Sequence, residues 1–455
     1  MDTNFAKILE LGGARLRRIV FAAVPAHPAA LAFSFVAARR SIVCHRRLAQ
    51  MDPALFHAHL IDFLSMMLRW LHMIAGIAWI GASFYFIWLD NSLDAPEPDS
   101  EEAKKGVAGE LWAVHGGGFY NPQKYAVAPA KLPEKLHWFK WEAYTTWLSG
   151  TALLIVFYWL NAGAMMLDPD VSATLTPWQA VGIGAASMVG SWIVYDLLCR
   201  SPLGRRDALL GLVVFGFFVG LAGWLSTELS GRAMFIHVGA AIGTIMAANV
   251  FFVIIPGQRK MVAAMRAGQR PDAQDGRRAK QRSVHNNYFT LPVLFMMISN
   301  HYASTYTHPH NWAVLMLLGV AGLTIRHFFN LRHKGIYAWQ YPACGVVLLG
   351  AMSWWTAPHI QPLPPVEGVV DYNRVRAIIG ERCVTCHSPI PSFPGYAAPP
   401  AGVVLAETGK IRPNVQRIYQ RVVINRSMPI GNLTHMTEEE RAVIAAWIKN
   451  GAPLQ

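Results

Sequence analysis

The sequence predicts an all-α protein: a polytopic membrane helix bundle of about eight spans, followed by a small helical domain outside the membrane. Three observations carry this. Of the 455 residues, 53% are hydrophobic and only 15% charged, against about 25% charged in an ordinary soluble domain. Apolar stretches long enough to cross a bilayer, roughly 17–25 residues, recur near 61–89, 138–167, 177–198, 207–226, 233–256, 287–305, 311–330 and 338–357. Beyond the last of them the composition changes, and the chain carries Cys-Val-Thr-Cys-His at Cys383–His387.

Residues 1–50 form an N-terminal extension with arginine pairs at 17–18, 39–40 and 46–47 and an apolar run, 19–38, broken by Pro25 and Pro28. It reads either as a targeting segment or as the product of a start placed upstream of a true one at Met51. Residues 51–357 hold the eight apolar stretches and form the membrane domain. A linker, 358–370, contains Pro358, Pro362, Pro364 and Pro365. In the final domain, 371–455, a helix leads into Cys383. Thr437 and Glu440 then make a capping box, and Val443, Ile444, Trp447 and Ile448 give the following helix one apolar face. Gly451 ends it.

The net charge of +13 comes in short basic clusters between apolar runs. That pattern orients a membrane protein and does not suggest a nucleic-acid partner. Segment 257–282 carries Arg259, Lys260, Arg266, Arg270, Arg277, Arg278, Lys280 and Arg282. The turn 199–206 has Arg200, Arg205 and Arg206, and the turn 330–337 has Arg332 and Lys334. Segments 168–177 and 302–310 contain no Lys or Arg. The first set therefore faces the cytoplasm, and counting forward puts the end of the eighth span on the outer side of a bacterial inner membrane. The same count makes 90–137, the longest loop, cytoplasmic.

Cys383-x-x-Cys386-His387 is the pattern for covalent attachment of haem c. Each thiol adds across one porphyrin vinyl group, and His387 offers its imidazole to the iron. Methionine is a common second ligand because its sulfur raises the reduction potential. Met428, in a Met-Pro step that holds a loop extended, is the expected one, with Met436 as its competitor. A zinc site would need a second Cys or His pair, and Cys44, Cys199 and Cys344 are scattered. The final domain thus reads as a class I-like cytochrome c domain. Haem c is attached outside the cytoplasm, so this motif and the loop charges agree on the side independently.

Histidines inside apolar spans are functional candidates by default. His72 lies in RWLHMIAGIAWIG, His237 begins HVGAAIGTIMAANVFFVIIPGQRKMV, His285 and His301 bracket SVHNNYFTLPVLFMMISNHY, and His327 is deep in the seventh span. Any one of them can equally be an interhelical hydrogen bond. Imidazoles paired across bundle helices can hold a b-type haem, so His72, His237 and His301 are candidate haem b ligands. On the cytoplasmic side are His115, beside three glycines in GELWAVHGGGFYNPQKY, and His285 with Asn286 and Asn287. Glycine backbone there can come close to a polar ligand, or simply form a tight turn.

From Met51 onward the chain resembles the membrane-bound bacterial urate oxidases with a fused cytochrome c, also called urate hydroxylases. The stretches that carry the resemblance are RWLHMIAGIAWIGASFYFIWLDNSL (69–93), GELWAVHGGGFYNPQKY (109–125), HWFKWEAYTTWLSG (137–150), ANVFFVIIPGQRKMV (248–262) and SVHNNYFTLPVLFMMISNHY (283–302). CVTCH and MPIGN fall where that family's haem domain has its ligands. The resemblance implies oxidation of urate to 5-hydroxyisourate, with oxygen from water and electrons leaving through the cytochrome. The implied partners are urate, membrane lipid, and a periplasmic or membrane cytochrome c or terminal oxidase. No catalytic residue is carried over by it. His115, His285, Asn286 and Asn287 are candidates from their chemistry and side alone. Two other classes fit the same residues: a membrane haem or quinol electron relay that feeds periplasmic cytochromes, and a transporter with a redox domain.

Overall fold

The computed structural model describes residues 53–357, 362–393, 396 and 398–454. The extension 1–50 and residues 358–361 of the linker lie outside the described residues. The contacts considered below fall within Asp62–Gln455, one compact unit.

Eleven helices position the candidate site: α1 (Pro53–Asn91), α2 (Trp141–Leu154), α3 (Pro177–Arg200), α4 (Asp207–Glu228), α5 (Gly231–Ala248), α6 (Ile255–Arg266), α7 (Ala273–Ile298), α8 (Asn311–Arg332), α9 (Gln340–Trp355), α10 (Tyr372–Arg382) and α11 (Glu438–Lys449). Among the described residues five helices are long and apolar enough to cross a membrane: His59–Asn91, Pro177–Arg200, Asp207–Glu228, Gly231–Arg266 and Asn311–Arg332. The other three expected stretches are helical in a different way. Stretch 138–167 is α2, then a π-helical turn, Ile155–Trp159, and a short helix, Ala162–Met165. Stretch 287–305 includes the apolar half of α7, whose first half is polar, and α9 has only 16 residues.

Local chemistry explains where the helices begin. Thr176 and Gln179 cap α3 reciprocally, with Pro177 in its first turn, where a missing N–H costs nothing. The Ser230 hydroxyl accepts from Ala233 N at the start of α5, and the Asp272 carboxylate accepts from Gln274 N at the start of α7. A second π-helical turn, Asn249–Ile254, joins α5 to α6.

The main core centres on α5, where Ala233, Met234, Phe235, Val238, Ala241 and Ile245 are fully buried. Lipid is as apolar as leucine, so in helices that cross a membrane close packing rather than water exclusion supplies the attraction. Glycines make the approach. A Cβ on Gly239 of α5 would stand 2.8 Å from Met296 Cβ of α7, and one on Gly345 of α9 would stand 2.8 Å from Ile325 Cγ1 of α8. Large apolar side chains such as Trp70 and Ile77 of α1, Leu212 of α4 and Val346 of α9 are exposed, as suits surfaces turned toward lipid.

The all-α expectation needs one correction. Segment 107–125 forms two small antiparallel pairs, β1 (Val107–Glu110) with β4 (Gln123–Tyr125) and β2 (Ala113–His115) with β3 (Gly118–Tyr120). Gly116 and Gly117, at φ +58° and +81°, supply the two-residue turn between β2 and β3, a conformation other residues rarely adopt.

A separate apolar core, with Tyr372, Val375, Ile379, Val443, Ile444 and Trp447, organises the C-terminal segment. The capping box expected at α11 is present: the Thr437 hydroxyl accepts from Glu440 N at 3.2 Å, and Thr437 N donates to Glu440 Oε2 at 2.8 Å. Gly451, at φ +85°, follows the helix end. Gly431 approaches the loop after α2 closely enough that a Cβ on it would lie 3.0 Å from the Leu167 carbonyl oxygen.

Candidate functional site

Within the bundle, α7 carries His285, Asn286 and Asn287, and the two asparagines serve two different buried networks. The Asn286 amide donates to Met246 O at 2.9 Å and accepts from Asn249 Nδ2 at 2.8 Å. Asn249 begins the π-helical turn after α5. Such turns often mark functional positions because they redirect a side chain out of the regular helix. Asn249 also donates to the Tyr195 hydroxyl at 3.2 Å and accepts from Arg282 Nη1 at 3.3 Å. The Tyr195 hydroxyl is 2.7 Å from His285 Nδ1. Arg282 is neutralised by Asp196, with Nη2 donating to Oδ1 at 2.8 Å.

Asn287 faces α1 and α8. Its Nδ2 donates to Ser83 O at 3.3 Å, while its Oδ1 accepts from Arg326 Nε at 2.8 Å and from Asn330 Nδ2 at 3.0 Å. The Arg326 guanidinium lies over the Phe84 ring, 4.0 Å from its centroid. Asn287 is fully buried, and Asn286, Arg326 and Asn330 nearly so. The amides of Asn286 and Asn287 are thus engaged with the protein itself. The atoms left open are Arg326 Nη2 and Asn330 Oδ1, buried and without a hydrogen-bond partner.

The structure does not bring His115 into either network. It ends β2 at the tip of an exposed hairpin, paired with Gly118. The three bundle histidines expected to pair around a haem have unlike settings. His72 is 3.0 Å from Thr146 O and from the Ser149 hydroxyl through Nδ1, which leaves Nε2 uncommitted. Its ring packs on Gly150, where a Cβ would stand 2.8 Å from His72 Cε1. His237 donates through Nδ1 to Ala233 O at 2.8 Å and accepts at Nε2 from Trp159 Nε1 at 3.1 Å. Both ring nitrogens are committed, the wiring of a packed structural histidine. His301 is exposed in a short turn, Ser299–His301. His327 pairs through Nδ1 with the Tyr288 hydroxyl at 2.7 Å.

In the C-terminal segment, Asp371 caps α10, which delivers Cys383 at its end. Cys386 N and His387 N both reach back to Cys383 O, at 3.2 and 2.9 Å, so one tight turn gathers both thiols and the imidazole. Both cysteines are free. Burial pushes the Cys383 thiol up to about 12 and raises that of Cys386. His387 Nδ1 donates to Val403 O at 2.9 Å, which fixes the tautomer and leaves Nε2 as the free ligand atom. Met428 is half-buried, with its backbone held by Arg421 O at 3.0 Å and Arg441 Nη1 at 3.0 Å. Met436 is only 3% exposed and packs in the apolar core. Among the described residues no three His, Cys, Asp or Glu side chains converge as a bare-metal site. Two unlinked thiols, an imidazole whose Nδ1 is held by Val403 O and a thioether are a donor set that fits haem c.

The family described as urate oxidase N-terminal matches residues 58–357. The chain belongs to this family. Neither curated proteins nor solved structures give a match. The urate oxidase match covers every residue of the two buried networks and ends before CVTCH.

Reasoning from sequence missed Arg326, Asn330, Asn249, Tyr195 and Arg282 as members of the site. For Arg326 the signal was present: a charged residue inside an apolar span, in LTIRHFFN, one position before the histidine that was noticed. Such a charge is costly and is retained for a reason. For the others the signal exists only in three dimensions.

Proposed function

We propose that the chain is a membrane-bound urate oxidase that converts urate to 5-hydroxyisourate, drawing the added oxygen from water. The reaction consumes urate and water and releases two electrons and two protons. The observation that carries the reading is the division of one chain into a urate oxidase family region and, outside it, a turn whose thiols and imidazole suit haem attachment. Cys383, Cys386, His387 and Met428 would hold haem c, which when bound supplies a one-electron carrier between the substrate and the respiratory chain. The basic turns support a cytoplasmic face for His115 and His285 and a periplasmic face for the C-terminal segment.

The bundle's own residues have separable tasks. His285, hydrogen-bonded at Nδ1 by Tyr195, is the titratable group that can take up a proton as water adds to the purine. Asn286 and Asn287 act as positioning residues, one holding Asn249 and the other orienting Arg326. A b-type haem in the bundle would rest on His72, whose Nε2 is free, and not on His237. A pyridine haemochrome assay that finds haem c alone removes that second haem.

The test is direct. Urate added to the purified full-length protein without oxygen should produce the reduced haem c absorption band. Cys383→Ala should abolish haem staining at the full-length mass on a denaturing gel, together with that band. Reduction by a quinol but not by urate would replace this reading with an electron relay, and reduction by neither would favour a transporter.

A further inference from the structure

Among the described residues the bundle buries two arginines, Arg282 and Arg326, and only the first has an acid. Arg282 is answered by Asp196 at 2.8 Å. Arg326, 4% exposed, forms no ion pair with any described Asp or Glu. A guanidinium isolated in a low-dielectric interior carries a large desolvation cost that its neighbours do not repay. Such a group suits a site that an anion completes.

The surroundings define what that anion would look like. Arg326 Nε and Asn330 Nδ2 converge on the one oxygen of Asn287, at 2.8 and 3.0 Å. That contact locks both side chains, one helical turn apart on α8. Arg326 Nη2 is then an open cationic donor and Asn330 Oδ1 an open acceptor, both buried and unpartnered. The Phe84 ring under the guanidinium fixes its plane. Two turns back along α8, buried Gly319 has open space where a side chain would stand. Arg326 is six residues from Arg332, about 9 Å along the helix axis, so the site is nearest the end of the bundle that carries the basic turns.

We propose that Arg326 Nη2 and Asn330 Oδ1 form the recognition edge for a planar heterocyclic anion, the urate monoanion. The guanidinium receives a purine oxyanion, and the amide oxygen accepts an adjacent ring N–H. This rests on the oxidase reading above and supplies the substrate contact it lacks. A donor and an acceptor one helical turn apart on α8 match the alternating C–O and N–H edge of the substrate. A site built for a small inorganic anion would present donors only.

The experiment measures binding and turnover separately on detergent-purified full-length protein. Radiolabelled urate in equilibrium dialysis and the urate-induced rise in thermal midpoint report the site, and haem reduction reports oxidation. Wild type should bind urate and be stabilised by it. Arg326→Gln should lose affinity by about tenfold or more with an unchanged haem c spectrum. Arg326→Lys should fall between, since it keeps the charge but not the fork. Asn330→Asp should give Arg326 an internal carboxylate, so the ligand-free midpoint rises while urate binding falls.

Four results overturn the proposal: no urate binding by wild type at millimolar concentration; unchanged affinity or KM in Arg326→Gln; an Asn330→Asp protein with a raised midpoint but undiminished affinity; and chloride or sulfate competing as well as urate itself. Wild type that binds urate through Arg326 but shows no urate-driven haem reduction would leave the site standing and remove the oxidase reading. Reduction by Arg326→Gln at the wild-type KM would do the reverse.

Discussion

Met428 and Met436 are eight residues apart and have different surroundings. Met436 is held at its backbone by both polar atoms of Asn432, at 3.0 and 3.2 Å, and its side chain is sealed into the core beneath α11. On the proposed function this makes Met436 the poorer of the two as an iron ligand. Met428 keeps a partly open side chain while Arg421 and Arg441 pin its backbone, which is how a ligand loop is held rigid without filling the space before it. Met428→Ala should remove the thioether–iron charge-transfer band and lower the haem potential. Met436→Ala should keep the band but cost about 2–5 kcal/mol of stability through the cavity it leaves, read as an earlier unfolding midpoint. A band that survives Met428→Ala and vanishes in Met436→Ala would exchange the two roles.

The helices interlock through glycines, and this decides which of them can tolerate change. Gly184 of α3 lies flat against the His237 ring of α5, and a Cβ there would overlap the imidazole. Gly184→Ala should therefore push α3 from α5 and cost about 1–3 kcal/mol. The same substitution at Gly216 of α4, which faces open space, should be nearly neutral. Equal melting of the two variants would show that the α3–α5 contact is not close-packed.

Much at this scale was legible beforehand. Thr437 with Glu440 and Gly451 announced α11, and long apolar runs announced α3, α4, α5 and α8, because capping and hydropathy are local properties. The hairpin at 107–125 was not read. Its strands are only three or four residues long, and its three adjacent glycines suited a ligand loop equally well. The π-helical turns Ile155–Trp159 and Asn249–Ile254 left no local signal either, although they carry Trp159 and Asn249 into the interior. The candidate histidines were found as residue types, but whether each has a free nitrogen is a matter of partners. His237 is used up by Trp159 and Ala233, residues that no spacing rule links to it in advance.

At the scale of the molecule, the C-terminal segment meets the bundle at Gly431 and comes near it at Tyr396. Gly431 meets Leu167 O and the Asp168 backbone, and Tyr396 lies within electrostatic reach of Arg232 at the start of α5. Arg232 in turn donates to the Tyr306 hydroxyl at 3.2 Å, not far from Tyr158, His237 and Trp159. Electron transfer falls steeply with separation, so this contact should govern rate and not potential. Gly431→Val, which adds bulk at the Leu167 carbonyl and strains a backbone at φ +53°, should slow urate-driven haem reduction several-fold while the haem midpoint potential stays put. An unchanged rate would mean that electrons cross elsewhere.

The packing of Cys383 against the C-terminal core has a consequence for how the protein would be made. Cys383 is half-buried at the end of α10 and packs against the core that α10 and α11 share, so on the proposed function haem would be joined to it before that core closes. On that reading the segment would be held unfolded on the outer side of the membrane until its cofactor is joined, and would dock on the bundle last. Cells short of haem should then accumulate chains with an inserted bundle and a protease-sensitive tail, and supplying haem afterwards should rescue only the chains whose tails have not yet collapsed.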